Sequence, residues 1–459
     1  MSGAEVSSAE LTRSSVFRIA WPIILANAAV PLLGIADTAV IGHVGTTSAL
    51  GAIALGALIF SFVYWSFGFL RMGTTGFVAQ ADGAGEPAEV RAVLGRALLL
   101  GGLIGLLLLL LQWPIAEFAW AIFSASPDVE GEAAQYFAAR IWGAPAALGT
   151  FALMGTLIGL GKSRQLLVLQ LLLNGLNIAL DVTFAGVLGW GVRGIGLGTA
   201  VAEWVTLLAA FWTVRRTLLA QRSDGEDFWP KARILDRLRL AEMFKANADI
   251  MIRTLFLLAG FAWFTDRSAK FGDTNLAANH VLLELVSFAA FFLDGYAFAA
   301  ESLVGRAIGA RSRRRFDAAA LRSSELALVT SCALAAACWF GGELAVQSLT
   351  SIVEVRRMAA SLVPLAALYI LLSFAAFQLD GIFVGATRTR QMRNASVLSM
   401  CVFVGASWPM MQRFGNRGLW FAFIGYVVVR AVSLGAYLPA LRRSIDDRSD
   451  CSEAGSLLT

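Results

Sequence analysis

The apolar residues of this chain fall in long runs, and the polar ones collect in the gaps between them. "ALLLGGLIGLLLLLLQWPIAEFAWAIF" (Ala97 to Phe123) and "LLVLQLLLNGLNIAL" (Leu166 to Leu180) with its flanks reach or approach the ~20 residues that carry a helix across a hydrocarbon core of roughly 30 Å. Reading such runs between charged, proline or glycine breaks gives about twelve spans. They lie near 15–42, 49–81, 92–124, 133–160, 165–188, 193–219, 241–264, 275–307, 318–349, 358–386, 393–412 and 417–440. The pattern predicts an all-α polytopic membrane protein.

The pattern is also written twice. Sliding the sequence against itself gives agreement at one shift, 226 residues (155 to 381). At that shift "GTLIGLGKSRQ" (Gly155 to Gln165) falls on "GIFVGATRTRQ" (Gly381 to Gln391), pairing Gly155 with Gly381, Gly159 with Gly385 and Lys162 with Arg388. "VAQADGA" (Val78 to Ala84) falls on "VGRAIGA" (Val304 to Ala310), and Ser61-Phe62 on Ser287-Phe288. Generic apolar similarity would give many equally good shifts, so the halves read as six-span repeats. Six is even, so both halves enter the membrane from the same side, related by an axis along its normal. The expected organisation is an N-lobe of helices 1–6 over 1–220, a cytoplasmic connecting loop over 221–240, a C-lobe of helices 7–12 over 241–445 and a polar cytoplasmic tail over 446–459.

Composition agrees, at 58% hydrophobic and 15% charged residues, against about 25% charged in soluble domains. The formal charge of +5 raises the question of a nucleic-acid partner, and its distribution answers it. With the N-terminus inside, roughly 26 Lys/Arg fall beside the even-numbered connections and the tails and about 8 on the opposite side, a positive-inside pattern. "RSRRRF" (Arg311 to Phe316) and "KARILDRLR" (Lys231 to Arg239) are then cytoplasmic loops in reach of anionic lipid. Localisation in the cytoplasmic (inner) membrane with both termini cytoplasmic follows as an expectation. The opening "MSGAEVSSAELT" is polar and carries acids, unlike a cleaved signal peptide, so the first span is expected to be kept. Cys332, Cys338 and Cys401 lie in apolar segments and Cys451 in the polar tail, without metal-type spacing.

Gly161-Lys162-Ser163 has the look of a P-loop end. A Walker A loop needs four residues between its first glycine and the Gly-Lys pair, after a β-strand. Gly155 leaves five, the preceding segment is an apolar span, and the repeat partner has no Gly-Lys pair. Lys162 therefore reads as a cation holding a cytoplasmic turn inside, and the energy source lies elsewhere.

Ionisable groups within spans cost at least ~2.5–3.5 kcal/mol each, so each is a functional hypothesis. Asp37 follows Pro31, which removes a backbone donor and loosens the first span near it. "NGLNIALD" puts Asn174, Asn177 and Asp181 on one face of the fifth span. Two buried carboxyl groups beside amides and a hydroxyl suit a proton or, as hard oxygen ligands, a sodium ion. Asp181 also reads as a helix end near an aqueous surface. In the second half, His280, Glu284, Asp294 and Glu301 project within an arc of roughly 100°, a stripe expected to face a cavity or partner helix, as a proton relay or a lock between helices. Asp249 with Arg253, and Asp380 with Arg430, read as structural ion pairs, while Glu203 and Arg71 stay open. With only His43 and His280 as histidines, neither a catalytic triad nor a Cys/His or HExxH-type metal site is supported, and the chain is read as no enzyme.

Twelve spans in two repeats, with "PLLGIADTAVIGHVG" in the first span and "FQLDGIFVGATRTRQMRNA" before the eleventh, resemble the multidrug and toxic compound extrusion (MATE) transporters, DinF-like branch, from about Ser15 to Arg443. The resemblance implies two six-helix bundles around a V-shaped cleft and drug export driven by inward H⁺ or Na⁺ through alternating access. It implies an N-lobe cation site at Asp37, Asn177, Asp181 and Thr199. The branch with a C-lobe acid on the seventh helix finds no clear counterpart in "ADIMIRTLFLLAGFAWF", where Asp249 opens the span and is expected to pair with Arg253. Family substrates are amphipathic organic cations, which Phe60, Tyr64, Phe288, Phe292 and Tyr296 suit through desolvation and cation–π contact.

The expectation is an antiporter exporting such compounds in exchange for inward H⁺, protonation of Asp37, coupled to Asp181, altering the first helix near Pro31. No cofactor is expected beyond the coupling ion; the expected partners are substrate and lipid, with no nucleic acid, for a monomer. Alternatives are Na⁺ coupling at the same carboxylates and a lipid-linked-precursor flippase, which would want several cleft cations where the spans hold Arg71, Arg253 and Arg430. A membrane enzyme would need paired catalytic groups at one face, and a passive channel fits two fused repeats poorly.

Overall fold

The computed structural model describes residues 11–29, 37–42, 45–122, 126–222 and 226–445. Pro31, His43 and Cys451 fall outside that set. Among the described residues the regular structure is entirely helical. In chain order it runs α1 (Arg13–Ala28), helical residues 37–42, α2 (Thr47–Ser66), α3 (Phe69–Gly83), α4 (Pro87–Leu110), α5 (Gln112–Ile122), α6 (Pro127–Arg140), α7 (Ala144–Gly159) and α8 (Ser163–Asp181). There follow α9 (Gly191–Leu219), α10 (Lys231–Ile234), α11 (Arg237–Ala269), α12 (Asp273–Gly309), α13 (Arg313–Leu349), α14 (Val353–Gly385), α15 (Thr389–Phe414) and α16 (Asn416–Arg443).

Eleven helices among the described residues are long and apolar enough to cross a membrane, and they take up the second to twelfth expected spans. The expected first span is represented by α1 and residues 37–42. On α4, Leu99, Leu103, Leu106 and Leu110 are all more than half exposed, the spacing of one helix face left to lipid.

The chain forms two compact units. One holds residues 25–82 and 86–247; the other holds 11–24, 83–85 and 248–445. Helix α1 thus contributes to both, its first turns packing Val16, Ala20 and Ile24 against Tyr296, Ala299 and Ala327 of the second unit. The core of the first unit gathers Val78, Val93, Leu94, Leu153, Leu157 and Val214. That of the second is aromatic, with Phe264, Tyr369, Phe403, Trp420, Phe423 and Tyr426 in mutual contact.

The sequence repeat has a structural meaning at the segment that resembles a P-loop. Gly161 takes φ 66° and Thr387, its partner at the 226-residue shift, φ 53°. After α7, Gly161 N–H donates to the Ile158 carbonyl at 2.8 Å and Lys162 N–H to Leu157 at 2.8 Å. After α14, Thr387 donates to Val384 at 2.9 Å and Arg388 to Phe383 at 3.0 Å. This is the Schellman cap, which closes a helix by one left-handed residue. Gly85 (φ 73°) and Arg311 (φ 52°) form another left-handed pair at the same shift. Gly161-Lys162 closes a helix.

The glycines preceding each cap admit a close helix crossing. A methyl group on Gly155 would lie 2.5 Å from the Arg71 carbonyl oxygen, and one on Gly381 2.3 Å from that of Ala297. One turn on, Gly159 meets the Thr75 carbonyl at 2.9 Å and Gly385 that of Glu301 at 2.5 Å. Small residues four apart let α7 pack on α3, and α14 on α12, backbone to backbone.

Candidate functional site

Helix α8 buries an unusual set. Besides Ser163, Leu166 and Leu169 near its start, the residues it turns inward are Asn174, Asn177 and Asp181, while Leu171, Leu172 and Ile178 face outward. Apolar side chains are stable against lipid, so the polar face must find partners inside. Asn174 donates from its amide to the Ala29 carbonyl at 2.7 Å and accepts from Gln170 at 3.0 Å. The Asn177 amide, oriented to satisfy all its neighbours, donates to Asp37 Oδ1 at 3.2 Å and Asp181 Oδ2 at 3.0 Å, and its oxygen accepts from Thr199 Oγ1 at 2.9 Å. One helix face therefore holds the first span on both sides of residues 30–36.

Asp37, Asn177, Asp181 and Thr199 are together and each is at most 4% exposed. At Asp181 the α-helix gives way to a π-helical turn, Val182–Val187, a local widening often found at functional sites. Asp181 is thus a helix end and yet fully buried. Gly198 on α9 makes room for it: a methyl there would lie 2.5 Å from Asp181 Oδ1. That oxygen has no hydrogen-bond partner among the described residues.

Beside this cluster stands a cation that the sequence pattern does not single out. Arg140 ends α6, where it donates a hydrogen bond to the Tyr136 hydroxyl, and its guanidinium lies 4.7 Å from the centre of the Phe60 ring. It is within electrostatic reach of Asp37, Asp181 and Glu203. Glu203, one turn after Thr199, is buried against Gly143. Arg140 escapes a sequence reading because it falls near the expected start of a span, where an arginine normally reaches water. The signal that could have found it is "QYFAAR", which puts Tyr136 and Arg140 four residues apart on one face.

Of the other expected residues, Phe60 and Tyr64 lie beside Arg140 and the rest in the second unit. Phe60 is buried, with Tyr64, Tyr136 and Phe137 within 5.3–6.2 Å ring to ring. In the second unit, Phe288 is exposed and packs edge-on to Phe292 at 5.3 Å, while Tyr296 is buried and accepts from Thr330 at 3.1 Å. The four-residue stripe of α12 divides. His280 and Glu284 are 3.9 Å apart with side chains 73% and 61% exposed, so they lock no partner helix. His280 borders an apolar cleft of about 390 Å³ with Phe264, Leu276 and Leu283. Asp294 is half-buried and Glu301 fully buried. Around His280 and Glu284 the helix buries Ala278, Asn279, Leu282 and Val286 instead, so the stripe's first two residues lie on the outward face while Glu301 lies where the helix is enclosed.

The pairing of Asp249 with Arg253 is corrected. Asp249 accepts from Arg393 at 2.6 Å and from Thr389 at 3.2 Å. Arg253 reaches across to Asp380 of α14 instead, and Arg430 lies 3.9 Å from the same carboxylate. Spacing on one helix places two side chains on a face, but a neighbouring helix that supplies a better-aimed guanidinium takes the carboxylate.

A family model described as MatE matches residues 22–183 and 250–406. The chain is 35% identical over 437 residues to "DNA damage-inducible protein F" of Escherichia coli (strain K12), covering 94% of this chain and 93% of that one. It is 23% identical over 449 residues to "Multidrug resistance protein MdtK" of Proteus mirabilis (strain HI4320), covering 94% and 96%. Among solved structures, one described as "Outward-facing conformation of a multidrug resistance MATE family transporter of the MOP superfamily" superposes with TM-score 0.84 at 18% identity, over 94% of this chain and 96% of that one. Another, "Crystal structure of MATE in the straight conformation", gives TM-score 0.83 at 18% identity over 94% and 97%.

Proposed function

The chain belongs to the MATE family of multidrug efflux transporters, and from that premise we propose that it is an antiporter exporting amphipathic organic cations in exchange for inward H⁺. The observation that carries the reading is the buried pair Asp37 and Asp181, joined by one Asn177 amide. Two carboxylates in a desolvated bundle repel each other, so the pair holds one proton in the state that excludes water. That proton is shared by the two carboxyl groups, which lie against one another.

Coupling requires the proton to bind one conformation better than the other, since a ligand with equal affinity for both shifts nothing. Asn174 and Asn177 hold Ala29 and Asp37, so neutralising the pair changes the grip of α8 on the first span. The site thereby feels the conformation of α1, which contributes to both units. The positive-inside distribution supports a cytoplasmic-membrane location with both termini inside.

Sodium coupling is the second reading. Turning the Asn177 amide over would aim its oxygen at both carboxylates and, with Thr199, offer hard oxygen donors to a small cation. Liposomes loaded with the purified protein and given a fluorescent lipophilic cation distinguish the two. Uptake driven by a pH gradient and lost in Asp37→Asn is expected. Uptake driven only by a sodium gradient would replace the proton by Na⁺, and no uptake under either would overturn efflux in favour of a lipid-linked substrate.

A further inference from the structure

Glu203 is a buried acid that the coupling scheme leaves unused. It lies on α9 four residues after Thr199, its carboxylate pressed so closely on α6–α7 that a methyl group on Gly143 would sit 1.9 Å from Oε2. That oxygen has no hydrogen-bond partner among the described residues, nor has the Tyr64 hydroxyl or Arg140 Nε. The charged and titratable groups facing Glu203 are Tyr64 from α2 and, through electrostatics, Arg140 from α6. Arg140 in turn is hydrogen-bonded to Tyr136 of its own helix and within electrostatic reach of Asp37 and of Asp181 on α8.

Arg140 therefore acts on three carboxyl groups, each buried. A charge there acts on its neighbours over several ångströms far more strongly than at a surface. Its Nε carries an unused donor, and it makes no ion pair within 4.0 Å to any of the three among the described residues. The guanidinium is anchored on Tyr136 and Phe60 and acts on the three carboxyl groups through space.

We propose that Arg140 and Glu203 are positioning residues that set the charge of the coupling pair: Arg140 is shared between Glu203 and Asp37–Asp181, and Glu203 decides how much of it the pair receives. When Glu203 is ionised it draws the guanidinium and the pair takes up its proton readily. When Glu203 is neutral the whole positive charge serves the pair, which then holds its proton less tightly. This inference rests on the proton-coupled reading of Asp37 and Asp181.

The test is infrared difference titration of the purified protein, following the band of protonated carboxyl groups that Asp37→Asn removes. Glu203→Gln is expected to lower the midpoint of that band by roughly one pH unit, and Arg140→Gln to raise it by a similar amount. The double variant should fall between them, and Arg140→Lys, which keeps the charge, should return to the parent value. Should Arg140→Gln not fold, the downward shift in Glu203→Gln and the unmoved midpoint in Arg140→Lys carry the test. Midpoints unmoved in Glu203→Gln and Arg140→Gln, with only the melting temperature lowered, would mean that the two residues merely hold helices together and would overturn the inference. Absence from the parent of any titrating band that Asp37→Asn removes would instead overturn proton coupling itself.

Discussion

Asp181 shows how one side chain is held ready by its neighbours. It receives a hydrogen bond from Asn177 on one oxygen and lies against the bare Cα of Gly198 on the other. A methyl at Gly198 would push the carboxylate off the amide, and a hydrogen bond to a charged group is worth about 1.5–3 kcal/mol. Gly198→Ala is accordingly expected to fold and to lose at least roughly tenfold in gradient-driven transport, as measured in liposomes; transport at the parent rate would show that the carboxylate's position is immaterial. Asn174→Ala removes the hold on the Ala29 carbonyl while leaving the carboxyl pair intact. It should weaken transport and leave the midpoint of the carboxyl titration in place, separating grip on the first helix from proton binding. Much of this site was legible in the sequence, because acids and amides on an apolar span have few explanations. What spacing could not supply was partnership across helices. Nothing in its spacing singles out Arg140, and Asp249 and Arg253, four apart on one helix, have their partners in Arg393 and Asp380.

Helices repeat the same lesson in a longer register. The segment that resembles a nucleotide loop is a helix end with two jobs, a backbone-close crossing at Gly155 and Gly159 and a left-handed cap at Gly161. The second half performs both at Gly381, Gly385 and Thr387. The 226-residue shift was readable because the crossing glycines have no room for a side chain in either half, although the cap itself is Gly161 in one and Thr387 in the other. A methyl group at Gly155 or Gly381 meets a carbonyl oxygen that belongs to a packed helix and cannot swing away. Gly155→Ala and Gly381→Ala should each cost about 1–3 kcal/mol by overpacking, seen as lowered thermal stability in detergent. At the cap, Gly161→Ala forces a Cβ into left-handed backbone at about 1–2 kcal/mol, while Arg311→Gly should cost nothing or stabilise slightly. Helix positions followed from hydropathy alone; the division of the chain did not. The early turns of α1 join the second unit because Val16, Ala20 and Ile24 have a buried apolar face there, and an apolar stripe in a sequence does not say which neighbour covers it.

Across the whole molecule, the two units handle buried charge in opposite ways. Beside its paired Arg91 and Arg96, the first gathers three carboxyl groups around Arg140, so acid is in excess there. The second closes its charges on one another: Asp380 accepts from Arg253, with Arg430 3.9 Å away and Asp294 within electrostatic reach of Arg253, and all three closest partners are at most 8% exposed. A buried pair gives little net stability when complete, but removing one partner strands the other charge at a cost of about 3–5 kcal/mol. The same conservative change should then have unlike effects in the two units. Asp37→Asn removes an excess acid, so the protein should keep its melting temperature and lose transport. Asp380→Asn strands Arg253 and Arg430, so the melting temperature and the yield of folded protein should drop sharply, and adding Arg253→Met should recover part of that loss. Measuring both variants by thermal unfolding in detergent decides the matter. A stable, transport-dead Asp380→Asn would show that the second unit, too, carries coupling chemistry, and that its arginines stand in for a cation that comes and goes.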